Sequence, residues 1–312
     1  MNVYSGKSEI LKQRNTVVTI GTFDGLHKGH IDILQLLKTK ADELDARSFV
    51  ITFDPHPRSV VSKDYEIDLI TTLEEKKKLF EENDVDNLMI IEFTKEFSQL
   101  DSDAFVLDYI VNKTGAKHIV IGYDHRFGRD RGGSEDNLRK LGNKYGFEVT
   151  VVGPRQVDDE TVSSTKIRNA LKAGEVEKAC NYLGREYRIR GKVVEGAKRG
   201  RILGFPTANI SPSNDKKLIP AKGVYFVEVV LESTKHYGVM NIGVRPTFDD
   251  TLQTVLEVYI FDFDKNIYNE KIEIGFIKRI RDEKKFSSKE ELVEQINKDK
   301  EKALEILNTL VN

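Results

Sequence analysis

Gly21-Thr22-Phe23-Asp24-Gly25-Leu26-His27-Lys28-Gly29-His30 is the stretch around which the chain can be read. The apolar run Val17-Val18-Thr19-Ile20 precedes it, and Ile31, Ile33, Leu34, Leu36 and Leu37 follow at helical spacing. That order predicts a strand, a glycine-rich turn and a helix N-terminus. His27 and His30 then share one face of the first helical turn. The free N–H groups and dipole of a helix N-terminus favour an anion, and the glycines let a nucleotide approach the backbone. Two imidazoles added there make a phosphate site. A single histidine is more often structural; two of them around Gly29, straight after a strand, carry more weight.

The chain has 312 residues, a length that suits two domains of about 100–200 residues each. With 39% hydrophobic and 32% charged residues it reads as soluble and globular. A net charge of −2 gives no basic excess for nucleic acid as a main partner. Cys180 stands without a second cysteine, which excludes an intramolecular disulfide and a Cys-rich zinc site and points to a reducing, cytoplasmic compartment. Its place between Ala179 and Leu183 reads as packing. The segment MNVYSGKSEI lacks the apolar core of a signal peptide. No stretch approaches the roughly 18 apolar residues of a membrane span. Composition leaves room for a weak homo-oligomer.

Residues 1–183 alternate strand-like and helix-like patterns. Strands are expected at Val17–Ile20, Phe49–Phe53, Leu88–Phe93, His118–Gly122 and Glu148–Val152. Thr71-Thr72-Leu73-Glu74-Glu75 offers two overlapping capping boxes; Asp101 or Ser102 can cap Ala104–Val111, and Ser134 can cap Asn137–Tyr145. Such alternation implies a parallel sheet covered by helices, with ligands at the carboxyl ends of the strands. Three further features fall at such ends. Asp54-Pro55-His56-Pro57 is a proline-stiffened loop, plain or substrate-presenting. Gly122–Gly133 concentrates Arg126, Arg129 and Arg131 among glycines; it is either a solvated loop or a phosphate contact. Ser163-Ser164-Thr165-Lys166-Ile167-Arg168 opens a helix; Ser163 is a plausible N-cap, and the hydroxyls with Arg168 can also face phosphates.

From Tyr187 the hydrophobic period becomes two, in Tyr187/Ile189/Val193, Tyr225/Val227/Val229 and Val255/Glu257/Tyr259. Short strands between Gly, Pro, Asn and Asp predict a small antiparallel barrel, with the boundary near Gly184 and a second domain over 184–312. Gly196, Lys198 and Arg201 lie in a basic loop, either a solvated hairpin or a phosphate cradle. Thr207 and Asn209 point to one side of an extended segment and supply hard oxygens suited to Mg²⁺. Glu257 shares a face with Val255 and Tyr259 that otherwise looks buried; it is a paired buried charge, a sign that the face is misjudged, or a general base for an alcohol. Ser287–Leu292 forms a capping box for a final helix whose apolar stripe is Leu292, Ile296, Ala303, Ile306 and Leu307.

His27-Lys28-Gly29-His30 resembles the His-x-Gly-His signature of the nucleotidylyltransferase superfamily, and the longer Gly21–His30 match is similar to bacterial bifunctional riboflavin kinase/FMN adenylyltransferases. The resemblance extends over nearly the whole chain. Ser163–Arg168 resembles the second phosphate motif, Gly204–Asn209 the Pro-Thr-Ala-Asn signature of riboflavin kinases, and Asn241–Phe248 a further family segment. It implies a Rossmann-like adenylyltransferase domain over 1–183 and a riboflavin-kinase-type barrel with a terminal helix over 184–312. It further implies that His27, His30 and Arg168 serve adenylyl transfer and that Glu257 deprotonates the ribityl 5′-hydroxyl. Gly21, Phe23, Asp24, Gly25, Gly29, Asp124, Ser163, Ser164, Thr165, Gly196, Lys198, Arg201, Thr207 and Asn209 would bind nucleotide, with Mg²⁺ on Thr207 and Asn209. Phe53, Pro55, His56, Pro57 and Phe127 would meet flavin. The family pattern Gly-x-Asn/Asp-Phe-x-Phe-Gly is matched at Gly122, Asp124, Phe127 and Gly128 and departs at His125, where an aromatic is usual. Riboflavin, FMN, FAD and ATP are the implied small-molecule partners. The competing readings are a single active module, the kinase, and a flavin- or nucleotide-binding regulator.

Overall fold

A computed structural model describes residues 1–6, 8, 15–62, 67–128, 132–196, 204–246 and 252–311. Packing divides the chain into two compact units, Met1–Ser164 and Thr165–Asn312.

The first unit runs β1 (Asn2–Ser5), β2 (Thr16–Ile20), α1 (Lys28–Glu43), β3 (Arg47–Asp54), α2 (Pro57–Val61), α3 (Leu73–Glu82), β4 (Asn87–Glu92), α4 (Lys95–Ser98) and α5 (Ser102–Phe105). A π-helical turn over Val106–Asn112 extends α5; then come β5 (Ala116–Gly122), α6 (Glu135–Tyr145), β6 (Glu148–Val152), β7 (Gln156–Val157) and β8 (Glu160–Thr161). Strands β1 to β6 form a parallel sheet in the order β1-β4-β3-β2-β5-β6. Strand β2 is buried throughout because helices cover both sheet faces. Val18, Ile20, Phe49 and Ile51 point into one core, and Val17, Val50, Leu88 and Val120 into the other. The strand order reverses between β2 and β5, so a crevice opens beyond their carboxyl ends.

Each of the five expected strands is present within a few residues of its predicted span. The hairpin β7–β8 and the edge strand β1 were not foreseen: both are short, and β1 is mostly exposed, so neither carries a hydrophobic period. Of the two overlapping capping boxes, Thr72 with Glu75 is the one formed. Thr71 is drawn elsewhere, as described below.

The second unit starts at Thr165, one residue into α7 (Ser164–Ala173), and continues with α8 (Val176–Leu183), β9 (Tyr187–Val194), β10 (Thr207–Pro212), β11 (Gly223–Leu231), β12 (Thr234–Pro246), β13 (Leu252–Ile260), β14 (Lys271–Arg281) and α9 (Lys289–Val311). The strands close an antiparallel barrel in the order β10-β13-β12-β11-β14-β9. Closure removes the unpaired edges that an open antiparallel sheet would leave. Tyr187, Ile189, Val193, Ile274 and Phe276 are buried in alternation along β9 and β14. Strand β11 is buried on both faces because α9 packs Ala303, Leu304 and Leu307 against Val224, Phe226, Phe261 and Ile280. The box opening α9 is formed as expected: Ser288 Oγ accepts the Glu291 N–H, and the Glu291 carboxylate accepts from Ser287. Asp299 on α9 takes Arg281 at 2.7 Å.

The packing break precedes the change of hydrophobic period near Gly184, because α7 and α8 lie on the barrel. Ala221 N–H donates to the Leu171 carbonyl, and Arg279 donates to the carbonyls of Ala173 and Lys222. Tyr187 N–H donates to Cys180 Sγ. Burial pushes the Cys180 thiol up to about 11, the state of a packing residue.

On the outer barrel face Arg188 pairs with Glu186, Glu228 and Glu273; Arg190 joins Glu273, and Lys235 joins Glu228. Burial works to raise the pKa values of Glu228 and Glu273, yet these partners hold both below the usual carboxylate value. Their stabilisation is therefore complete above the unfolded value of about 4.3 and is lost as pH falls through the lowered folded values. Glu228→Gln should be less stable than the parent at pH 7, and the gap should narrow towards pH 3 in urea unfolding curves.

Candidate active sites

The turn after β2 is built on backbone that L-residues avoid: Phe23 has φ 47° and Leu26 φ 35°, with Gly25 at φ 90° between them. A Cβ on Gly25 would also meet Ile70 at 3.2 Å. Asp24 holds this shape. Its carboxylate, 1% exposed, accepts the N–H groups of Ile70 (3.2 Å) and Thr71 (2.9 Å) and the Thr71 hydroxyl (3.1 Å). Thr71 Oγ1 in turn accepts the Gly25 N–H at 2.9 Å. Phe23 is buried edge-on against Phe80 and His30.

His27 caps α1: its Nδ1 accepts the His30 N–H at 3.4 Å, which leaves Nε2 as its donor atom. The two rings stack with centroids 3.7 Å apart. Ser164, the last residue of the first unit, donates its Oγ hydrogen to the Asp24 carbonyl at 2.8 Å. Two stacked imidazoles at a helix N-terminus can hold and neutralise an anion.

Thr52 Oγ1 and Gly21 N–H bond the turn to β3, donating to the Thr22 and Ile51 carbonyls. After β3, Pro55 follows a cis peptide bond and Pro57 opens α2. His56 Nδ1 accepts the Arg58 N–H, so this ring caps α2. After β5, Asp124 is exposed. The His125 ring lies 5.5 Å from Phe127 and keeps an aromatic position. Burial, then Arg126, pushes its imidazole down to about 4, and its Nε2 has no hydrogen-bond partner.

In the barrel, Asn209 on β10 lies directly opposite Glu257 on β13, and Asn241 on β12 flanks Glu257 on the other side. Thr207 is opposite Tyr259. Asn209 is buried against Gly196, where an added Cβ would come within 2.1 Å of its Nδ2. A half-open groove adjoins Thr207, lined by Val193, Pro206, Ile260 and Phe263 and by the polar Asp264, Lys265 and Asn266. The hydroxyl, amide and carboxylate thus share one outer face of the barrel, and the groove reaches Thr207 but neither Asn209 nor Glu257. Among the described residues no group of three or more His, Cys, Asp or Glu could hold a metal ion. The donor set that fits Mg²⁺ is Thr207 with Asn209, a sparse set of hard oxygens of the kind completed by phosphates and water.

Residues 9–166 match the FAD synthetase family model, and residues 183–307 match the riboflavin kinase model. The bifunctional riboflavin kinase/FMN adenylyltransferase of Bacillus subtilis (strain 168) is 38% identical over 303 residues, 96% of this chain and 95% of the relative. That of Haemophilus influenzae is 39% identical over 293 residues, covering 94% of each. The chain belongs to the bifunctional riboflavin kinase/FMN adenylyltransferase family. A solved structure titled as a macrolide-efflux protein from Streptococcus pneumoniae agrees with TM-score 0.88 at 33% identity, over 96% of this chain and 98% of that one. No helix among the described residues is long and apolar enough to cross a membrane.

The Asp24 carboxylate faces Ile70 and Thr71 in the turn. Phe53 and Phe127 are each 8% exposed and belong to the aromatic core, linked through Phe105. Alternation along β3 turns Phe53 inward with Phe49 and Ile51, so it backs the crevice. Glu257 does not share the buried face of β13: Leu256, Val258 and Ile260 take the inside, and Glu257 is half-buried outside. Arg168 and Thr165 lie on α7 in the second unit, with Arg168 6% exposed. Lys198 and Arg201 lie outside the described residues, as do Arg129 and Arg131. Arg155 was missed: it follows β6 with its Cβ beside Gly29 and reaches Asp32 at 3.7 Å. Its only sequence signal was a cation just beyond a strand's carboxyl end.

Asp24→Ala leaves two N–H groups and a hydroxyl without their acceptor. It should destabilise the protein by about 3 kcal/mol, read from urea unfolding.

Proposed function

We propose that the family's two reactions are divided along the sequence, adenylyl transfer in residues 1–183 and phosphorylation in 184–312. The chain converts riboflavin to FMN with ATP, then FMN to FAD with a second ATP and release of pyrophosphate. The observation that carries the division is that each unit holds its own constellation: stacked His27 and His30 on α1 in one, and paired Asn209 and Glu257 in the other.

In adenylyl transfer the FMN phosphate is the nucleophile and the α-phosphorus of ATP the target. The phosphate is already ionised, so no strong base is required. His27 Nε2 and His30, with the N-terminal N–H groups of α1, neutralise charge as pyrophosphate leaves. Ser163, Ser164, Thr165 and Arg168 are assigned to ATP phosphates on the family motif. In the kinase reaction Glu257 takes the proton of the ribityl 5′-hydroxyl, whose oxygen attacks the γ-phosphorus while ADP leaves. Thr207 and Asn209 would hold Mg²⁺, which supplies charge neutralisation at the phosphates. The cleft beside Thr207 offers an apolar wall for the base of ATP. A reducing cytoplasmic setting agrees with the buried thiol of Cys180.

Incubation with riboflavin, ATP and Mg²⁺, followed by chromatography of the flavins, should show FMN rising and then converting to FAD. FMN that accumulates without FAD would leave the kinase reading and remove the other. His30→Ala should lower FAD formation about 10²–10⁴-fold and spare FMN formation; Glu257→Ala should do the reverse when FMN is supplied. Gly196→Ala, which forces the Asn209 amide aside, should slow only the kinase, by about 10–100-fold.

A further inference from the structure

Lys76 is 6% exposed on α3 although it carries a charge. Its neighbours Lys77 and Lys78 turn outward to Glu74 and Glu82. Lys76 turns inward, and its ammonium donates to two main-chain carbonyls, Thr22 at 3.3 Å and Phe53 at 3.4 Å. Among the described residues it hydrogen-bonds no carboxylate; Asp24 and Asp54 act on it through space. A buried lysine without an ion-pair partner is rare, and a methionine of similar length would fill the same space without the desolvation cost.

The two carbonyls explain the cost. Thr22 belongs to the turn that ends in His27, and Phe53 is next to last in β3, two residues before the Pro55-His56-Pro57 loop. The first turn is assigned to ATP phosphates and the second loop to flavin. Helix α3 is a firm base for the tie, since its N-terminus is fixed by the Thr72–Glu75 box and by the Asp24 bonds to Ile70 and Thr71. We infer that Lys76 is the positioning residue that fixes the phosphate turn and the flavin loop of the adenylyl-transfer site relative to each other. Two substrates bound on separate loops react only when their reacting atoms are aligned, and a displacement of about 1 Å can lower the rate about 10²-fold. The inference rests on the adenylyltransferase reading of the first unit.

The test is Lys76→Met and Lys76→Gln in the full chain, with Lys76→Arg beside them. Riboflavin phosphorylation by the same preparation and a thermal melt report the fold. A folded neutral variant should lose about 10–100-fold in kcat for FMN adenylylation. KM for ATP and for FMN should change little, phosphorylation should be unchanged, and Lys76→Arg should restore most of the rate. Burial lowers the Lys76 pKa while Asp24 and Asp54 raise it, so the ammonium is lost as pH rises through the lowered value. The parent's adenylylation kcat should therefore fall on the alkaline side, and Lys76→Arg should move that limb upward. An unchanged kcat, a rise in one KM with kcat intact, or loss of the fold in both neutral variants would each overturn the inference. If His30→Ala failed to stop FAD formation, the site reading itself would fall, whatever Lys76 does.

Discussion

The first unit depends on the carboxylate of Asp24. It is sealed from water and takes three donors from the start of α3. Phe23 and Leu26 occupy left-handed backbone, which disfavours an L-residue by roughly 1–2 kcal/mol each. Without the Asp24 bonds that strain would relax and His27 would lose its place at the head of α1. Phe23 is held from beneath by Phe80, and Gly25 by Thr71, so the turn is over-determined. The stacked imidazoles are the visible product of this frame.

The barrel solves a different problem. Its catalytic candidates come from separate strands, and the antiparallel register brings Asn209, Glu257 and Asn241 side by side. Helix α9 and the pair α7–α8 cover apolar parts of the outer surface. The Arg188 cluster neutralises carboxylates on another part of it. What remains along β10 and β13 is an outer face where the polar groups of Asn209 and Glu257 can meet a ligand.

Much of this was legible in the sequence, for identifiable reasons. The strands β2 to β6 announce themselves by apolar runs between turn residues, and the Ser134, Thr72 and Ser288 caps by their spacing. Motifs located both constellations. Three matters were not legible. In β13 the apolar residues Val255 and Leu256 stand on opposite faces, so a period of two could not say which faced inward. The burial of Phe53 and Phe127 depends on Phe105, which is remote in sequence. Lys76 stands in a run of three lysines that nothing in the sequence tells apart; only the fold turns it towards two carbonyls.

The anchoring of α7 and α8 bears on how such a chain can be dismantled. The hydrophobic period changes near Gly184, where the barrel's first strand is about to begin, but the barrel's own packing starts at Thr165. A kinase fragment begun at Gly184 would lose the Leu171 and Ala173 carbonyls that receive Ala221 and Arg279, and without Cys180 it would bare the wall at Tyr187 and Phe276. Gene fission, domain shuffling or a protein engineer's scissors would then do least damage before α7. The seam that suits the fold lies inside a motif that the sequence assigns to the other reaction, which gives evolution a reason to keep the two reactions on one polypeptide.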